Sequence, residues 1–151
     1  MNGKNVVSKI MTKPVVVVES SATVMEALKL MVDKGIGCVV LTKNREPVGM
    51  LTERDIVKLI IRGREALRSR VEKVMSHPLI SVSPDTPVVD AIKLMKEKGI
   101  TRLPIVKDGQ LQGIITIHSD LLYWAIRATN TAESTVQTSK TGNCNAKDSP
   151  E

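Results

Sequence analysis

The chain has 151 residues, 42% hydrophobic and 25% charged, and its 22 Lys and Arg against 16 Asp and Glu leave a net charge of +6. That size suits one compact domain, or two small lobes that share a core. With one Trp, one Tyr and no Phe, the composition excludes an aromatic core and the aromatic stacking platforms of single-strand nucleic-acid binders.

No apolar stretch approaches the ~20 residues of a membrane span. The opening Met1-Asn2-Gly3-Lys4-Asn5 lacks a signal peptide's apolar centre, so no membrane association and a cytoplasmic location are expected. Cys38 and Cys144 fit no metal spacing, and Cys144 lies in a polar stretch, so neither a disulfide nor a metal site is expected.

In chain order, the β-branched run Val15-Val16-Val17-Val18 reads as a strand and is followed by Ser and Thr punctuation. Val24, Ala27, Leu28 and Met31 then fall at i, i+3, i+4 and i+7, one face of a helix, with Ser21 or Thr23 as its cap. Gly35 after Lys34 marks that helix's end. Strands over 38–42 and 48–51 follow, and a helix over 53–62 closes the unit.

A short basic link, 63–70, leads to a second pass. Thr86-Pro87 predicts a helix with Thr86 as N-cap and Pro87 in its first position, and Val88, Ala91, Ile92 and Met95 supply its apolar face. Gly99 repeats the terminal glycine. Strands are expected over 103–106 and 111–115, joined by a tight Asp108-Gly109 hairpin, and a last helix over 119–128. Leu121, Leu122, Tyr123, Trp124 and Ile126 make that helix apolar nearly all round, which suggests a dimer interface. Residues 129–151 are polar without apolar period and are expected to be disordered. They carry one net negative charge, leaving about +7 on the rest and favouring an anionic ligand or a nucleic-acid surface.

The two passes are one unit written twice. A shift of 64 positions lays 7–52 over 71–116 with 16 of 46 positions identical, among them Met11/Met75, Pro14/Pro78, Ala27/Ala91, Gly49/Gly113 and Thr52/Thr116. A tandem pair makes a pseudo-twofold body with clefts between its halves.

The informative element is the strand-to-helix junction, Gly49-Met50-Leu51-Thr52-Glu53-Arg54-Asp55, echoed by Gly113-Ile114-Ile115-Thr116-Ile117-His118-Ser119-Asp120. Thr52 with Asp55 three residues on is close to a capping box, which needs no ligand. The same geometry also offers free N–H groups and a positive dipole end to an anion, and a carboxylate one turn away suits a sugar diol. Both readings stand on spacing alone.

Two ordered copies of Met-x-x-Pro, an Ala-x-x-Leu-Met helix, a Gly turn, a strand pair and Gly-h-h-Thr-x-x-Asp (h, hydrophobic) resemble a tandem cystathionine-β-synthase (CBS) domain pair, or Bateman module, over 6–128. The resemblance implies an α/β (α+β) fold of two β-α-β-β-α repeats, 6–62 and 71–128, about a pseudo-twofold axis. It further implies a non-enzymatic regulatory module that binds an adenosine-containing ligand in its clefts and signals energy or metabolite status to a partner. AMP is the preferred ligand, with ADP, ATP and S-adenosylmethionine as alternatives, and no catalytic cofactor is implied.

Residue by residue, the resemblance gives Thr52 to phosphate and Asp55 to ribose, with Arg54 beside them. In the second repeat Thr116 matches, but strict register puts Ser119 at the ribose position and Asp120 one place later; His118 is a further contact. The adenine would lie against Val16, Val18, Ile36, Gly37 and Cys38, or against Ile80, Val82, Thr101, Leu103 and Pro104. Arg102 is placed to reach a phosphate, and its counterpart Cys38 is not, so the two clefts are expected to be chemically unequal.

Arg62, Arg64, Arg68 and Arg70 read as a solvated basic loop, or alternatively as a polyphosphate or nucleic-acid contact. A nucleic-acid-binding function through the basic surface is the alternative to nucleotide sensing, though no helix-turn-helix, zinc-finger or RNA-recognition signature occurs. Nor does any Gly-x-Ser-x-Gly, Walker or His-Glu-x-x-His motif, so the chain is not expected to be an enzyme. A homodimer and a separate regulated protein are the expected macromolecular partners.

Overall fold

A computed structural model describes residues 5–117. The last expected helix, 119–128, the polar stretch 129–151 and the site candidates His118, Ser119 and Asp120 lie outside the described residues. In the first repeat, strand β1 (Val17–Glu19) leads to helix α1 (Val24–Lys34), the hairpin β2 (Cys38–Lys43) and β3 (Glu46–Thr52), and helix α2 (Glu53–Arg62). The second contributes helix α3 (Val88–Lys98) and the hairpin β4 (Arg102–Lys107) and β5 (Gln110–Thr116). Among the described residues no helix is long and apolar enough to cross a membrane.

Local chemistry sets the elements. Thr23 caps α1 in a full capping box with Glu26, whose carboxylate accepts the Thr23 N–H at 2.8 Å. That bond holds the exposed Glu26 carboxyl below its ordinary pKa. Gly35 and Gly99 end α1 and α3 at φ 62° and 63°, a left-handed conformation in which a side chain is strained. Asp108 and Gly109 both take positive φ, as do Asn44 and Arg45, so both hairpins turn in the sense that matches strand twist.

β1 pairs parallel with β2, which pairs antiparallel with β3; β4 and β5 form the matching antiparallel pair. Side chains alternate between two layers. Val39, Leu41 and Leu51 point to Val24, Ala27 and Met31 of α1 and to Ile56 and Leu59 of α2, making one aliphatic core. Leu103, Ile105 and Ile115 pack on Val88, Ala91, Ile92 and Met95 of α3, making the second. Val40 and Met50 on the opposite face meet Ile114 between the sheets. The run Val39-Val40-Leu41 is fully buried because both faces of β2 are covered.

The repeats are stitched through each other. The 3-10 helix Val7–Lys9 belongs to the second core and its counterpart Val71–Lys73 to the first. The Val7 N–H donates to the Thr86 carbonyl at 2.9 Å, and the Val71 N–H to the Ala22 carbonyl at 2.8 Å. Met75 lies on Gly49, where a Cβ would stand 2.5 Å from the Met75 sulfur, and Met11 lies on Gly113, where a Cβ would stand 2.6 Å from the Met11 sulfur. The Met and Gly identities of the repeat are thus one contact, made twice and always across repeats.

Three expectations change. Helix α3 starts at Val88 with Pro87, not Thr86, as N-cap and no side-chain cap; the Val88 N–H instead donates to the Asn5 carbonyl at 2.9 Å. Thr86 lies one residue before that N-cap, outside the helix, its hydroxyl 3.2 Å from that of Ser83. The bond to Asn5 is the counterpart of the one from the Val24 N–H to the Ser69 carbonyl on the hydroxyl-capped α1. The first strand of the second repeat shrinks to one parallel bridge, Val82 to Ile105, and that of the first begins at Val17. The basic link contains a 3-10 helix, Arg64–Arg68, whose Ala66 and Leu67 pack against the first core while Arg62, Arg64, Arg68 and Arg70 stay exposed. Arg70 pairs with Glu72 at 3.8 Å.

Candidate functional site

Where β3 runs into α2, the chain turns so that Thr52 caps the helix. The Asp55 Oδ2 accepts both the Thr52 backbone N–H and the Thr52 hydroxyl at 2.9 Å, and the Asp55 N–H donates back to the hydroxyl oxygen at 3.4 Å. This is a complete capping box. The junction is anchored by the Glu53 N–H, which donates to the Gly37 carbonyl at 3.0 Å; the Ile117 N–H makes the equivalent bond to Thr101 at 2.7 Å.

Beside this junction lies a cleft of about 240 Å³. One wall is Met50, Thr52, Arg54, Asp55 and Lys58 of the first repeat. The other is built from the second repeat: Leu79 and Ile80, the α3–β4 turn at Ile100 and Thr101, then Arg102 and Pro104. The site is shared between repeats because Val71–Lys73 anchors its chain in the first core, which brings Ser76–Ile80 alongside β3. The Ser76 N–H donates to the Met50 carbonyl at 3.1 Å.

Of the residues singled out in the sequence, Thr52, Arg54 and Asp55 therefore meet Ile80, Thr101, Arg102 and Pro104 in one cleft. Leu103 does not face it: this side chain is fully buried in the second helical core, on the opposite face of β4 from Pro104. Val82 packs on that same core, and Val16, Val18 and Ile36 pack on the first. Cys38 joins the layer between the sheets. Burial raises its thiol pKa above the ordinary value, partly offset by the Arg102 charge nearby. Thr116 ends β5 opposite Arg102.

Arg102 reaches across the pseudo-axis. A Cβ on Gly37 would collide with its guanidinium and would stand 3.1 Å from the Glu53 carboxyl carbon, so glycine at 37 makes room for the arginine. Lys58 was missed on sequence reading, yet it is one helical turn beyond Arg54 and so on the same face, a signal the sequence contains. Met50, Ser76, Leu79 and Ile100 were also missed, because they enter through the crossing of the two repeats.

With this geometry in place, comparison with known proteins is direct. The family model described as "CBS domain" matches residues 7–62 and 71–119. The uncharacterized protein MK0525 of Methanopyrus kandleri is 39% identical over 118 residues, 76% of this chain and 60% of that protein. The chain thus spans somewhat under two thirds of that relative's length. A protein with CBS domains from Burkholderia ambifaria superposes with a TM-score of 0.70 at 30% identity, covering 89% of this chain and 99% of that one. The CBS domain pair of protein MJ0100, solved in complex with 5'-methylthioadenosine and S-adenosyl-L-methionine, shares the fold with a TM-score of 0.71 at 24% identity, covering 83% of this chain and 98% of that one. Two matched segments on one interlocked frame make this chain a member of the CBS domain family, in the form of a tandem CBS pair.

Proposed function

We propose that the chain is a non-catalytic regulatory module that binds an adenosine-containing ligand in the cleft between α2 and the α3–β4 turn. The observation that carries this reading is the opposition of two walls. Leu79, Ile80, Ile100 and Pro104 offer an apolar slot for a flat base, and Asp55 faces them with one carboxylate oxygen outside the capping box for a ribose diol. The cations Arg54, Lys58 and Arg102 suit phosphate at the same cleft. Because the walls come from different repeats, a bound ligand ties them together and shifts the module toward the arrangement it prefers. A partner protein that distinguishes the arrangements would receive the signal.

The exposed apolar side chains Val32, Val57, Ile60 and Ile61 on α1 and α2 suit a second copy of the chain as the first partner. The basic surface of the link supports nucleic-acid binding only through its charge, and it stands second.

Titration calorimetry against AMP, ADP, ATP, S-adenosylmethionine and NAD tests the reading. Heat with at least one adenosine compound, weakened about tenfold or more by Asp55→Ala as expected for losing a charged hydrogen-bond partner, supports it. No heat with any of the five overturns it.

A further inference from the structure

We infer that this cleft selects for a chain of phosphates, taking adenosine di- or triphosphate in preference to the monophosphate and to the cationic S-adenosylmethionine. The inference rests on the nucleotide reading above; it moves the phosphate end away from Thr52 and adds Lys58 to Arg54 and Arg102.

The Thr52 hydroxyl has no proton to spare. It donates to Asp55 at 2.9 Å and its oxygen accepts the Asp55 N–H at 3.4 Å, so holding a phosphate would mean breaking the cap of α2. Asp55, with its negative charge, repels a phosphate placed beside it. The first N–H of the helix, on Glu53, is also taken, by the Gly37 carbonyl at 3.0 Å. Apart from the Arg54 N–H in the first turn of α2, what remains for an anion is side-chain charge.

That charge is arranged in a line. Arg54 and Lys58 stand one turn apart on one face of α2, about 6 Å along the axis. Arg102 completes the set from the opposite wall. Among the described residues, none of the three forms an ion pair, the one such pair being Arg70 with Glu72. The cleft lining carries three positive charges against Asp55, with the Glu53 carboxyl beside the Arg102 guanidinium at Gly37, so Arg54 and Lys58 are the less offset pair. A single phosphate next to the ribose meets Arg54 or Arg102 but does not span to Lys58. A second or third phosphate, running down the helix away from Asp55, does. A sulfonium ligand gains nothing from the three cations.

The test is a titration of the full chain with adenosine, AMP, ADP, ATP, S-adenosylmethionine and inorganic tripolyphosphate, in the natural sequence and in Lys58→Gln and Arg54→Gln. ADP or ATP is expected to bind about tenfold or more tighter than AMP, from one added charge contact in a partly screened site. Lys58→Gln is expected to bring the AMP-to-ADP ratio of dissociation constants close to one. Both side chains are exposed, so the variants keep the fold, and circular dichroism checks this. Equal affinity for AMP and ADP, a ratio that Lys58→Gln leaves unchanged, or tripolyphosphate binding as tightly as ADP overturns the inference while leaving nucleotide binding intact. Absence of binding by every nucleotide overturns the underlying reading instead.

Discussion

Across the shift of 64 residues, the first and second repeats keep the same backbone hydrogen bonds and part company at their side chains. The Val24 N–H bonds the Ser69 carbonyl, and the Val88 N–H the Asn5 carbonyl, both at 2.9 Å. Met50 and Ser76 exchange two bonds at 3.1 and 3.3 Å, and their counterparts Ile114 and Thr12 exchange two at 3.2 and 2.8 Å. Such bonds involve no side chain, so substitutions leave them alone. The cleft walls have no such protection. Arg102 stands where the first repeat has Cys38, and Thr101 where it has Gly37. The outer helical faces diverge as well: Val32, 72% exposed on α1, corresponds to the equally outward Lys96 of α3. The two copies thus share the backbone frame and differ at the cleft walls and the outer helical faces.

The frame is the easiest part of this comparison to break. Leu103→Ala opens a cavity in the second core and should cost about 2–5 kcal/mol. Because each repeat's leading segment lies in the other's core, the first repeat should melt with it in a single transition. Hydrogen exchange on β2 and β4 after this substitution checks the point; separate transitions would show that the stitching does not couple the halves.

The difference between the outer faces is sharpened by Ile61→Glu. Ile61 is 81% exposed on α2, so the substitution should leave the fold unchanged. If that face meets a second copy, the change should weaken self-association by roughly 2 kcal/mol, the value of one buried apolar side chain. Sedimentation velocity over a dilution series reads this, and an unchanged association constant would place the dimer contact elsewhere.

The smallest effect separates the helix starts. Thr52→Ala removes the hydroxyl half of a capping box, leaving the backbone N–H of residue 52 on Asp55, and should cost about 1 kcal/mol. Thr86→Ala should cost less than about half that, because the Thr86 hydroxyl makes no cap bond to α3 and lies beside that of Ser83. Urea titrations of the two variants compare them; equal losses would restore Thr86 as a cap.

Much of the frame was legible in the sequence because its signals are local. The span Glu53–Arg62 of α2, the terminal glycines at 35 and 99 and the Asp108-Gly109 turn follow from periodicity and backbone preference within a few residues. Thr52 and Asp55 were legible as a pair for the same reason, with capping and ligand binding still open. The aliphatic core likewise followed from a composition without Phe.

Other features depend on residues distant in the chain. Thr86-Pro87 has good capping chemistry, yet α3 starts one residue later, at Val88, whose N–H is held by the carbonyl of Asn5, 83 residues earlier. Leu103 sits in a stretch expected to touch ligand, but strand alternation turns it into the core and Pro104 toward the cleft. Lys58 becomes a cleft residue only because Ser76–Ile80 crosses over to face α2.

By itself, then, the sequence determined that there are two like units, where their helices and turns lie and which chemistry each junction carries, since these rest on interactions between near neighbours. Only the tertiary structure decided that each unit's leading segment completes the other's core, and hence that the cleft has one wall from each. The physical reason is that a repeat this short cannot bury its own apolar surface, and the exchange that buries it is also what brings Asp55, Lys58 and Arg102 together.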